Sequence, residues 1–161
     1  MKILKRINWK TLLISIAISL GVGIVASLLT SDSMQQYESM MYRPLLAPPG
    51  WLFPVVWTIL YILMGNSAYL IYEPDSEESE KRMALRVYAA QLIANGLWTI
   101  IFFRLNAYLL AFAWLLLLWY LIYVTIRRFA PINKLAARLL LPYIVWVTFA
   151  GYLNLAIALN T

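Results

Sequence analysis

Five apolar runs of about 20 residues govern what this chain can become: residues 9–29, 51–72, 83–103, 107–126 and 139–159. A helix rises about 1.5 Å per residue, so each run is long enough to cross a hydrocarbon layer roughly 30 Å thick. The runs use most of the 161 residues, and the segments between them are too short for a separate soluble domain. Hydrophobic residues make up 63% and charged residues only 12%, against about 45–50% and 25% in ordinary soluble domains. The expectation is an all-α integral membrane protein, a single domain over 1–161 built as a bundle of five transmembrane helices.

The charges sit where such a bundle needs them. Basic residues flank the runs and do not form a patch interleaved with aromatics, so the net charge of +6 reflects membrane topology and not nucleic-acid binding. Eleven Lys and Arg fall in the N-terminal segment and the second and fourth loops, against Arg43 and Arg104 in the first and third loops. That bias places the N-terminus in the cytoplasm and the long, proline-rich first loop on the other side. The uncharged stretch 11–30 is longer than the apolar part of an ordinary secretory signal, which favours a retained first helix.

Histidine and cysteine are absent, and all seven carboxylates lie outside the five runs. Zinc hydrolysis, thiol chemistry, paired acid–base catalysis and carboxylate-based proton coupling therefore lack their residues, and neither metal nor cofactor is expected to be required. Aromatic and amide side chains remain, and their spacing is helical. Trp57, Tyr61 and Gly65 share one face of the second run; Gln91, Asn95, Trp98 and Phe102 one face of the third; Tyr143, Trp146, Ala150 and Asn154 one face of the fifth. An amide in lipid leaves polar groups unsatisfied, so these faces should turn inward. Spacing alone leaves two uses open, hydrogen bonding between helices or ligand binding. Trp9, Trp51, Trp119, Tyr120 and Tyr123 read instead as interface anchors near span ends.

The segments APPGWLFPVVWTILYILMG (47–65), QLIANGLWTIIFF (91–103) and LLPYIVWVTFAGYLN (140–154), with the fourth run at 108–119, resemble the TspO family of translocator and tryptophan-rich sensory proteins. The resemblance implies a five-helix membrane bundle whose first loop caps an internal cavity, and a porphyrin such as protoporphyrin IX, or another flat hydrophobic molecule, as ligand. By motif position it implies Trp57, Trp146, Asn95, Trp98 and Ala150 as pocket residues, with Trp57 and Trp146 as redox-active groups in a light-dependent porphyrin degradation. Tyr61, Gln91 and Asn154 join them from the shared inward faces, and Pro48 and Pro49 from a stiff lid over 43–50.

The chain departs from the family pattern in two places. Only Tyr37 stands where the family carries an aromatic pair before the first-loop proline, and Tyr152 is followed by no basic residue, so cholesterol binding is not implied. Passive transport of tetrapyrroles and regulation of another membrane protein are the competing functions. The expected setting is a bacterial cell membrane. Small residues every four positions on the first run (Ser15, Ser19, Gly23, Ser27) and the Ala90/Ala94 pair suggest close helix contact and a homodimer, the state also common in the family.

Overall fold

The computed structural model describes residues 7–30, 44–72 and 78–160. All regular structure among them is helical: α1 (Trp9–Leu29), α2 (Leu52–Tyr72), α3 (Glu78–Thr99) running into a π-helical turn (Ile100–Arg104), α4 (Tyr108–Phe129), a short α5 (Lys134–Leu139) and α6 (Leu141–Leu159). With the π turn counted in the third segment and α5 joined to α6, five segments are long and apolar enough to cross a membrane. Tyr37 and Arg43 lie outside the described residues.

Two spans begin well before their apolar runs. The third starts at Glu78, five residues before the run, because Glu78 and Glu80 sit in the first turn, where the helix dipole favours negative charge. The fifth starts at Lys134 and breaks at Leu140. Asn133 caps its beginning, its Oδ1 accepting from the Ala136 N–H at 3.1 Å. Pro142 then has no N–H to continue the ladder, and the Leu140 N–H turns back to the Ala137 and Arg138 carbonyls.

The helices are arranged as a ring, α2–α1–α3–α4–α6. Hydrophobic attraction does not hold helices together in lipid; packing and interhelical hydrogen bonds do. Along α1–α2 the backbones come close: Ser15 Oγ donates to the Gly65 carbonyl at 2.7 Å, and Ser19 Oγ to the Tyr61 carbonyl at 2.6 Å. Gly23 faces the Tyr61 ring and Gly65 faces the backbone of Ile16, leaving no room for a Cβ at either position. The small-residue stripe of α1 is therefore occupied by α2 of the same chain, and it lends no support to a dimer. The Ala90/Ala94 pair is split as well: Ala90 is exposed, while Ala94 is buried and its carbonyl accepts from Trp114 Nε1 on α4 at 2.8 Å.

Between α2 and α6 the ring closes differently. α2 packs on α5 near the basic end of the bundle, where Ser67 Oγ donates to the Ala136 carbonyl at 2.7 Å. Toward the first-loop end the two helices meet chiefly through large aromatic side chains, with Phe53 6.0 Å and Trp57 6.4 Å from Trp146 between ring centroids.

Candidate functional site

Three helices deliver the predicted inward faces to one place. Trp57 on α2 lies at its centre, its ring centroid 5.8 Å from Tyr61, 6.4 Å from Trp98, 6.2 Å from Tyr143 and 6.4 Å from Trp146. Such edge and tilted contacts suit rings whose faces are negative and whose edges are positive. Trp98 stacks on Phe102 at 5.4 Å, and Trp146 lies 5.5 Å from Phe149.

Beneath these rings runs a hydrogen-bonded line. The Tyr61 hydroxyl donates to Asn95 Oδ1, Asn95 Nδ2 donates to the Tyr143 hydroxyl at 2.7 Å, and Tyr143 donates to Gln91 Oε1 at 2.8 Å. Gln91, Asn95 and Asn154 are all fully buried. Asn154 is engaged at both ends too, accepting from Trp98 Nε1 at 3.0 Å and donating to the Tyr108 carbonyl at 2.7 Å. The amides of Asn95 and Asn154 thus tie helices together, the first of the two uses that spacing left open. Gln91 differs. Its Nε2, like Trp146 Nε1, is a buried donor with no partner among the described residues. An unpaired donor away from water costs about 1–3 kcal/mol, so both would gain from an acceptor.

The open space lies to one side of this cluster. A cavity of about 260 Å³ is bounded by Leu20, Gly23 and Ser27 of α1, Phe53, Trp57 and Tyr61 of α2, and Thr99 and Phe103 at the end of α3. Trp57 and Tyr61 are shared between cavity and cluster. Gln91, Asn95, Trp98, Trp146, Ala150 and Asn154 are absent from its wall, and Ala150 is buried on α6. The π turn explains Phe103: a wider turn brings residues five apart onto one face, so Phe103 follows Trp98, 6.3 Å away. Sequence reasoning placed the pocket among the second, third and fifth spans and missed the contribution of α1. The Gly23/Ser27 spacing was the available signal.

The end of the first loop takes an unexpected position. The Tyr152 hydroxyl on α6 donates to the Leu45 carbonyl at 2.6 Å, Pro48 is buried and Pro49 exposed, and neither proline borders the cavity. Trp51 and Trp9 are largely exposed at helix starts, as anchors are. Trp119 is not at a span end. It lies midway along α4, with its Nε1 donating to Thr148 Oγ1 on α6 at 2.9 Å.

Comparison with known proteins agrees with this architecture. The TspO/MBR family model matches residues 15–159. The chain belongs to that family. It is 37% identical over 147 residues to the tryptophan-rich protein TspO of Chlorobaculum tepidum, covering 91% of this chain and 93% of the relative. It is 32% identical to the tryptophan-rich sensory protein of Cereibacter sphaeroides, covering 91% of this chain and 89% of that protein. The human translocator protein is also 32% identical, over 87% of this chain and 83% of its own length. This TspO/MBR member is an integral membrane protein whose inward-facing aromatic cluster contains no charged side chain.

Proposed function

We propose that this TspO/MBR protein binds porphyrins of the protoporphyrin IX type, and similar flat hydrophobic molecules, within the membrane. The observation that carries the proposal is the convergence of Trp57, Tyr61, Trp98, Tyr143 and Trp146 beside a cavity, with two buried N–H donors unpaired. Aromatic faces suit a flat macrocycle, and the donors suit its polar substituents. At about 260 Å³ the cavity falls below the roughly 300–1,000 Å³ of drug-sized sites, so a macrocycle enters by parting helices. The α2–α6 contact, made of side chains, is where they part.

Trp57 and Trp146 would then lie against the ligand. On illumination an indole donates one electron to the excited macrocycle, leaving an indole radical cation beside a porphyrin radical anion, and oxidative loss of the porphyrin from that pair draws on dissolved dioxygen as the oxidant, without acid–base chemistry. The charge bias of the loops orients the bundle in a bacterial cell membrane with its N-terminus in the cytoplasm.

The test is to titrate the purified protein with protoporphyrin IX in the dark and then follow the Soret band under light. Trp57→Phe and Trp146→Phe should bind within about threefold of the parent, because an aromatic body is kept, yet bleach the ligand more slowly. No saturable binding by the parent would remove the proposal. Unchanged bleaching in both variants would remove the electron-donor role alone.

A further inference from the structure

We propose that a groove at the basic end of α1, α2 and α3 binds one anionic glycerophospholipid. Two adjoining cavities form it. The first, of about 410 Å³, lies between the helices and is mostly apolar, with Ile14 and Ile18 of α1 facing Leu85, Ala89 and Leu92 of α3. The second, of about 310 Å³, carries Lys81, Arg82 and Arg86 together with one acid among the described residues, Glu78. Tyr72, Leu85 and Ala89 border both, so the two are continuous.

Helical spacing makes the groove change character along its length. Arg82, Leu85, Arg86, Ala89 and Leu92 fall on one face of α3, cationic in the first turns and apolar in the next two. Lys81 leans over the Tyr72 ring, its Nζ 5.7 Å from the centroid, which keeps this cation beside the groove. A ligand matching both parts has a phosphate at one end and an acyl chain at the other. Guanidinium groups take phosphate oxygens in pairs, and the apolar part accepts a chain over the roughly 9 Å from Arg86 to Leu92. A free phosphate would use only the cationic part. A zwitterionic lipid would bring its own ammonium toward Lys81, Arg82 and Arg86, whose cations outnumber the one carboxylate among the described residues of the lining, so an anionic lipid is the better match. The acidic residues Glu73, Asp75 and Glu77 precede this segment in sequence, so a general attraction of the loop to anionic surfaces is not the source of binding. The site does not depend on the porphyrin proposal.

Native mass spectrometry of delipidated protein, with phosphatidylglycerol or phosphatidylcholine of identical chains, tests the assignment. One phosphatidylglycerol should be retained at least about tenfold more tightly than phosphatidylcholine. The triple variant K81Q/R82Q/R86Q should lose that preference, whereas R127Q/R128Q, also basic and at the same end of the bundle, should keep it. Ala89→Phe fills the shared part of the groove with every charge in place and should weaken retention of phosphatidylglycerol. That variant tests the site even if the triple variant fails to fold. Equal retention of the two lipids by the parent, an equal loss in R127Q/R128Q, or full retention in Ala89→Phe would overturn the proposal. Displacement of the lipid by millimolar glycerol 3-phosphate would assign the cations to a soluble anion and overturn it as well.

Discussion

The two sides of α2 are held in opposite ways. Toward α1 the backbones nearly touch, through Ser15, Ser19, Gly23 and Gly65, and serine hydroxyls reach carbonyls across the seam. Toward α6 the gap is filled by Phe53, Trp57, Tyr143 and Trp146, with Asn95 of α3 bridging Tyr61 and Tyr143. A seam of small residues has one good arrangement, since separating it loses contacts that nothing replaces. A seam of large rings can exchange ring–ring contacts for ring–ligand contacts at little net cost. On the proposed reading, the difference makes α1–α2 the fixed wall and α2–α6 the side that would open. Tyr61 couples them, because its carbonyl belongs to the first seam and its hydroxyl to the second.

The strongest way to break the comparison is to force the α1–α2 seam. A Cβ at position 65 would lie 2.5 Å from Ile16 Cα, which is backbone and cannot swing aside. Gly65→Leu should therefore cost at least the upper part of the roughly 1–3 kcal/mol typical of overpacking, seen as a large fall in the detergent unfolding midpoint. A midpoint within a degree or two of the parent would show that α1 does not pack tightly on α2.

A smaller effect is expected from the bridge of the second seam. Asn95→Leu leaves the Tyr61 hydroxyl buried without its acceptor, a cost of about 1–3 kcal/mol. Tyr61→Phe in the Asn95→Leu background should then recover stability instead of losing more, because it removes the orphaned donor. Additive losses in the double-mutant cycle would mean that the two residues are not coupled.

The smallest effect sharpens the contrast within α1. Gly21 and Gly23 are two residues apart, yet a Cβ at Gly21 meets nothing within 4 Å while one at Gly23 would lie 2.4 Å from the Tyr61 ring. Gly21→Ala should leave the midpoint unchanged or raise it, by at most about 1 kcal/mol from better helix propensity. Gly23→Ala should lower it, since the Tyr61 ring is held by Asn95. Equal responses would place the two glycines in the same environment and dissolve the seam.

How much of the candidate site was legible follows from the kind of information each residue carries. Trp57, Tyr61, Asn95, Trp98 and Trp146 were readable as inward because polar and aromatic residues at helical spacing, inside a run that must face lipid elsewhere, have only one favourable side. Which of them would face open space was not readable. The amide nitrogen of Gln91 has no partner among the described residues while those of Asn95 and Asn154 do, and that depends on where Tyr143, Tyr61, Trp98 and the Tyr108 carbonyl end up. Trp119 shows the same limit, since its indole could have reached an interface or a neighbour, and Thr148 of α6 decided it.

By itself the sequence determined the number of crossings and the inward faces, because lipid sets both through composition: it excludes charge and penalises unpaired polar groups segment by segment. The family followed from motifs local in the chain, PPGW at 48–51 and PYIVWVTFAGYLN at 142–154. Only the tertiary structure decided that the small stripe of α1 serves α2 of the same chain, and that the cavity lies beside α1. It also brought Lys81, Arg82 and Arg86 of α3 into one groove with apolar residues of α1. These outcomes depend on how each helix is rotated and tilted against its neighbours. That geometry is settled by contacts between residues dozens of positions apart, which no single segment encodes.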